Sequence, residues 1–268
     1  MGNLKEILKD VIKTAEKSGR EIMLHYGKNY TIHYKTKNNP VTKADLLSQE
    51  IIIKNLEKYN FAFLSEELKD DKNRLQKKHA WIIDPLDGTK DFIEKTDEFS
   101  IMIGLVENKK PILGVVYNPA KNTLYYAAKN IGSYQKIKNK IKKIKVSRKN
   151  RMSDISMLTS RYHLSNLEKN LNKTLNFKNS QKCGSAGWKI GLISSGHADV
   201  VVNPSDKTWE WDLCAADIII TEAGGKLTDL NGQKIFYNRR NSKNNQGYIA
   251  SNSLIHNKII KTINKLTI

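Results

Sequence analysis

At 268 residues the chain can bury a sizeable core, as one large domain or as two smaller ones sharing an interface. A hydrophobic content of 39% excludes a disordered chain, and no apolar run approaches the roughly 20 residues that span a bilayer. The 46 Lys and Arg against 27 Asp and Glu leave a net charge of +19, which attracts polyanions, but the lysines are scattered over almost every polar face.

The N-terminus lacks the apolar centre of a signal peptide, and two cysteines, Cys183 and Cys214, make no disulfide framework; a cytoplasmic protein with buried free thiols is expected. From Leu4 to about His25 apolar residues recur at helical spacing, with Gly27 as a stop. YTIHYK (30–35) alternates like a strand, and the segment from Asn38 to Tyr59 opens with turn chemistry and becomes a helix carrying Asp45 in its first turns. FAFL (61–64) is a brief strand ending at Ser65, Glu66 and Glu67. WIIDPLDGTKDFI (81–93) is the end of a buried strand that delivers Asp84 and Asp87 into a turn marked by Pro85 and Gly88.

From Ser100 three strands form an antiparallel meander with turns at 108–111 and 118–122, and the basic run at 136–151 reads as a solvated connector. A soft boundary there divides an N-terminal α+β lobe (1–150) from a C-terminal α/β lobe (151–268). The second half reads as a strand at ISMLTS (155–160), a helix at YHLSNLEKNL (162–171), a helix in GSAGWKIGLISSG (184–196) and a strand at ADVVVNP (198–204). A helix in WDLCAADIIITEAGG (211–225), a hairpin-like step at GKLTDLNGQ (225–233), a strand at GYIASN (247–252) and a terminal helix follow.

Two carboxylates a few ångströms apart at the mouth of a core raise each other's pKa unless a cation sits between them. A divalent metal is the simplest remedy, and carboxylate and carbonyl oxygens are hard ligands of the kind Mg²⁺ prefers. Asp45, Glu66, Glu67, Asp84, Asp87 and Asp212 share this setting at strand ends and helix starts. Taken singly, Asp212 reads more often as a helix cap, and Glu66 and Glu67 as solvated loop acids.

Taken together, the blocks PVTKAD (40–45), LSEE (64–67), DPLDGTKDF (84–92), GVVYNP (114–119), GSAG (184–187) and WDLCAADIIITEAGG (211–225) resemble the inositol monophosphatase superfamily of Mg²⁺-dependent phosphatases. The resemblance implies a layered α-β-α-β-α sandwich of α/β class, with an antiparallel sheet lobe, a smaller α/β lobe and the site between them. It implies two or three Mg²⁺ ions, one held by Glu66, Asp84 and the Leu86 carbonyl, a second by Asp84, Asp87 and Asp212, with Glu67 in an outer shell or at a third ion. Thr89, oriented by Asp45, would position and deprotonate the attacking water. Asp87, Gly88, Thr89, Gly184, Ser185 and Asp212 would contact the substrate. A homodimer is also implied, with no membrane and no specific nucleic-acid partner.

Lys90 and Asp91 after DGT resemble the branch that removes the 3′-phosphate from adenosine 3′,5′-bisphosphate. Lys207 ahead of Trp211 and Asp212, and Arg161 in SRYH (160–163), are similar to the same branch and suit a second phosphate. Inositol monophosphate and sugar phosphates such as fructose 1,6-bisphosphate are the alternative substrates, and Asp206, near the place of an inositol-holding acid, keeps them open. A haloacid dehalogenase-like mechanism is disfavoured, because its two aspartates stand two positions apart whereas Asp84 and Asp87 stand three apart. A non-enzymatic, basic polyanion-binding protein is the remaining reading.

Overall fold

Helix α1 (Leu4–His25) starts where the Asn3 side chain accepts the Lys5 N–H, and its buried stripe of Ile7, Leu8, Val11, Ala15 and Ile22 lies on one face. The computed structural model describes residues 3–28, 33–36 and 39–266, with 33–36 and 39–41 described by backbone alone. Strands β1 (His33–Thr36) and β2 (Asn39–Val41) form an antiparallel pair; residues 30–32 of the expected strand lie outside the described residues. Helix α2 (Lys43–Leu56) opens on a capping box in which Thr42 and Asp45 satisfy each other's backbone and side-chain groups.

Strand β3 (Ala62–Ser65) runs parallel to β4 (His79–Asp87), which is followed by a one-turn helix α3 (Thr89–Ile93). Strands β5 (Ser100–Glu107), β6 (Lys110–Asn118), β7 (Thr123–Ala128), β8 (Gly132–Ile137) and β9 (Lys140–Lys143) then extend the sheet antiparallel, in chain order, to seven strands. The basic run is therefore only partly a connector. Its residues 136–143 close β8 and make β9, where lysines alternating with Ile137 and Ile141 form an exposed edge that discourages pairing with another chain.

Beyond the connector come β10 (Ser156–Ser160), α4 (Asn166–Leu175), β11 (Asn179–Cys183), α5 (Ala186–Ser194) and β12 (Val200–Asn203). They are followed by β13 (Thr208–Trp209), α6 (Cys214–Glu222), β14 (Gly225–Thr228), β15 (Lys243–Asn244), β16 (Tyr248–Asn252) and α7 (Ser253–Leu266). A five-stranded mixed sheet has the order β11-β10-β12-β16-β14. Helix α4 starts later than its periodicity predicts, because Ser165 and Glu168 form a capping box that leaves 161–163 in a loop. Strand β11, mostly polar and exposed, has no sequence signal, and Gly225–Thr228 pairs with β16 instead of forming a local hairpin.

Helices α1 and α2 cover one face of the large sheet; α5 and α6 fill the space between its other face and the small sheet, whose far side carries α4 and α7. The five layers are those the resemblance implied. Helix α6 can approach the large sheet so closely because β5 and β6 present Gly104 and Gly114 to it: a Cβ on Gly104 would stand 2.7 Å from Cys214 Sγ, and one on Gly114 would collide with the Ala215 carbonyl. That contact brings the residue just ahead of α6, Asp212, to the end of β4.

Candidate active site

Strand β4 pairs continuously with β5 from His79 to Asp84, then breaks register before Asp87, so the chain turns out of the sheet at Pro85 and Leu86. Asp84 is 2% exposed, and its Oδ1 accepts the Leu86 N–H at 3.0 Å. Gly88 follows with φ +89°, and a Cβ there would stand 3.2 Å from the Glu98 carbonyl, so the turn requires glycine. One ligand oxygen from each of Asp84, Asp87 and Asp212 lies within 4.8 Å of the others.

Burial raises the pKa of Asp84 well above its ordinary value, reinforced by the charges of Glu66, Asp87 and Asp212. Asp212 is raised in the same way by burial, then Asp87 and Glu66, against hydrogen bonds from the Trp209 N–H, at 2.7 Å, and with Asp84. Asp87 is raised less, because the Ser185 hydroxyl and the Gly187 N–H, the latter at 2.8 Å, donate to its Oδ2 and Lys189 lies near. Among the described residues no ion pair reaches any of the three. Clustered oxygen donors that no ion pair neutralises fit a divalent cation such as Mg²⁺.

Glu66 and Glu67 are half-buried in the turn after β3; the Glu66 N–H bonds to the Ile83 carbonyl, and Glu66 acts electrostatically on Asp45, Asp84, Asp87 and Asp212. The Leu86 carbonyl accepts the Thr89 hydroxyl at 3.2 Å, which also reaches Asp45 Oδ1 at 3.1 Å. Asp45 Oδ2 accepts both the N–H and the hydroxyl of Thr42, at 2.7 and 2.6 Å, and burial pushes its pKa up to about 6.

The residues expected to contact substrate are more committed than the sequence suggests. Ser185 gives its hydroxyl to Asp87 and also bonds Ser100 at 2.8 Å. The Gly184 N–H goes to Glu98 at 2.8 Å. Arg161 is ion-paired to Asp91 and Glu98, and Lys90 lies 4.0 Å over the ring of Tyr162. Sequence reading missed Lys189, Glu98, Ser100 and Gly187. Lys189 alone carried a visible signal, as the single charged residue in an otherwise apolar helical stretch. Surface hollows along Leu46 to Glu57 and around Phe236 and Gln246 share no residue with the carboxylates.

Residues 3–267 match the model of the inositol monophosphatase family. The chain belongs to that family. A 3′(2′),5′-bisphosphate nucleotidase CysQ of Aggregatibacter actinomycetemcomitans is 33% identical over 255 residues, 91% of either chain. A fructose-1,6-bisphosphatase/inositol-1-monophosphatase of Thermotoga maritima is 30% identical over 266 residues, 95% of this chain and 94% of that one. The crystal structure of CysQ from Bacteroides thetaiotaomicron superposes with a TM-score of 0.81 at 29% identity, covering 93% of this chain and 99% of that one. This inositol monophosphatase family member is thus a metal-dependent phosphomonoesterase with a small phosphorylated substrate. No helix among its described residues is long and apolar enough to cross a membrane.

Proposed function

We propose that the chain is a 3′(2′),5′-bisphosphate nucleotidase that converts adenosine 3′,5′-bisphosphate to AMP and phosphate. The observation that carries this reading is a set of basic groups around His163, one of which, Lys189, also acts on Asp87. Loss of solvent and then the charges of Lys207, Lys90 and Lys189 hold the His163 imidazole below its ordinary pKa, so four basic groups share one neighbourhood. A second phosphate would relieve that repulsion, whereas an uncharged polyol would not. Asp206, the acid near the place of an inositol-holding residue, is exposed and ion-paired with Lys243 at 3.1 Å. The CysQ relatives support the same reading.

Glu66, Asp84, Asp87, Asp212 and the Leu86 carbonyl would hold two Mg²⁺ ions, with Glu67 outside them; these supply positive charge against the phosphate and acidify water. The protein's own groups set the proton path. Thr42 saturates Asp45 Oδ2, so Oδ1 faces Thr89 and can take the proton that the Thr89 hydroxyl relays from the attacking water. As that water bonds to phosphorus, the ester P–O bond breaks and the 3′-oxygen leaves, taking a proton from solvent.

Turnover of adenosine 3′,5′-bisphosphate and of inositol 1-phosphate by the purified protein with Mg²⁺ tests the substrate. A clear preference for the bisphosphate is expected, with KM for it rising about tenfold in Lys207→Ala while KM for inositol 1-phosphate stays put. Faster turnover of the inositol ester would replace this reading with the inositol-1-monophosphatase or sugar phosphatase one, which the Thermotoga maritima relative favours. Polyanion binding without hydrolysis, unaffected by Asp87→Asn, would overturn the enzymatic assignment.

A further inference from the structure

Three features that look unrelated in sequence meet beside Asp87. Asp91, on α3, is 2% exposed. Its Oδ1 receives Arg161 Nε at 3.1 Å, from the loop after β10, and the Thr96 hydroxyl at 2.7 Å. The other arm of the Arg161 guanidinium binds Glu98 Oε2, and that same oxygen accepts the Gly184 N–H at 2.8 Å. Gly184 lies so close to Asp91 that a Cβ on it would collide with the carboxylate. Lys189 Nζ donates to the carbonyls of Cys183 and Gly184, at 3.2 and 3.3 Å. The turn between β11 and α5 is therefore held through both its N–H and its carbonyl groups, and Ser185 is kept at φ +47°, a conformation that needs such restraint.

What the turn delivers is the pair of donors, the Ser185 hydroxyl and the Gly187 N–H, that fix Asp87 Oδ2. We propose that Arg161 is a positioning residue: by bridging Asp91 and Glu98 it sets the 184–187 turn, and through that turn the orientation of Asp87. It touches no reacting atom. The proposal deepens, and rests on, the reading of Asp87 as a metal ligand. It also gives one physical reason for two motifs at once, since the aspartate after Lys90 and the arginine at 161 are the halves of a single ion pair joining elements 70 residues apart in sequence.

The sign of the effect separates positioning from simple electrostatics. Removing a cation near a cluster of carboxylates should tighten the binding of a metal ion by Coulomb attraction alone. A residue that orients a ligand should instead weaken binding when removed, by about tenfold or more. Mn²⁺ titration followed by electron paramagnetic resonance, without substrate, reads this on wild type, Arg161→Met and Arg161→Lys. A lysine keeps the charge but lacks the planar fork that reaches both carboxylates.

Expected are an Mn²⁺ affinity about tenfold weaker in Arg161→Met and an intermediate loss in Arg161→Lys. At saturating metal, KM for the phosphate ester should stay within about twofold of wild type. Should Arg161→Met not fold, Arg161→Lys carries the test. Unchanged or tighter Mn²⁺ binding overturns the proposal, as does a KM about tenfold higher with Mn²⁺ affinity intact, which would make Arg161 a direct substrate contact. Wild-type protein that binds no Mn²⁺ would bring down the metal-site reading itself, whereas wild-type binding with unaltered variants overturns this proposal alone.

Discussion

Thr89 Oγ1 lies 3.1 Å from Asp45 Oδ1, joining the turn after β4 to the first turn of α2. The same aspartate closes the capping box of that helix, so a structural device also holds the proposed proton acceptor in place. Replacing Asp45 with Asn is expected to lower kcat by about 10²–10⁴ with little change in KM. Thr89→Ser should retain activity, and Thr89→Ala should lose it to a similar degree.

The acceptor must be ionised to work. Burial holds the Asp45 pKa at about 6, so kcat should fall as pH drops through that value, and a bound cation can only move this limb lower. A pH profile of kcat at saturating Mg²⁺ checks it. An acidic limb above neutrality that persists in Asp45→Asn would show that another group is the base.

Asp84 and Asp212 have folded-state pKa values raised above the ordinary 3.8, so the metal-free native state binds protons more tightly than the unfolded chain does. Their contribution is fully present below about pH 4 and is lost as pH rises through the raised values. Asp212→Asn should therefore raise the melting temperature of the metal-free protein at pH 8, by about 2–4 °C for each kcal/mol relieved, while abolishing hydrolysis. Adding Mg²⁺ should stabilise wild type far more than the variant. Scanning calorimetry with and without chelator measures both.

Gly114→Ala places a methyl group against the Ala215 carbonyl and 2.6 Å from Ile218 Cγ2, pushing α6 away from β6. Overpacking of this kind costs about 1–3 kcal/mol. Because α6 carries Asp212 at its head, the Mg²⁺ concentration for half-maximal activity should rise as well. A variant as stable as wild type and unchanged in its Mg²⁺ requirement would show that the layer gives way locally.

Arg74 is 1% exposed and donates to Asp70 from both Nε and Nη2, to the Asn238 side chain at 2.7 Å and to the Arg239 carbonyl at 3.0 Å. The Asn238 N–H in turn bonds Glu210 at 2.6 Å, two residues from Asp212. Truncation to Ala strands buried acceptors and should cost about 3–5 kcal/mol. Urea unfolding at fixed Mg²⁺ gives the value; a loss within the range of an exposed side chain would mean that water replaces the guanidinium.

Several of these residues are legible in the sequence alone. Asp84 and Asp87 stand out because an apolar strand runs straight into two acids, a Pro and a Gly, and the Asp45–Thr89 contact is one that the family resemblance implies. The clamp around Gly184 was not legible. Its members lie at positions 91, 98, 161 and 189, on separate segments, and no spacing in the sequence links them. The β8–β9 edge was misread for a local reason: lysine alternating with isoleucine has a strand's period, but so many charges mimic a solvated connector.

By itself the sequence determined the chemistry: acidic oxygen donors at strand ends, the hydroxyl beside them, and the run of apolar periodicities that require stacked layers. These are local properties, written in residue type and spacing. Only the tertiary structure decided which donors meet and what each spare polar group is used for. Helix α6 reaches Asp84 because Gly104 and Gly114 leave room for it, and Arg161 answers to Asp91 and Glu98 because a buried carboxylate takes the nearest cation the fold presents. Burial and long-range pairing depend on every layer at once.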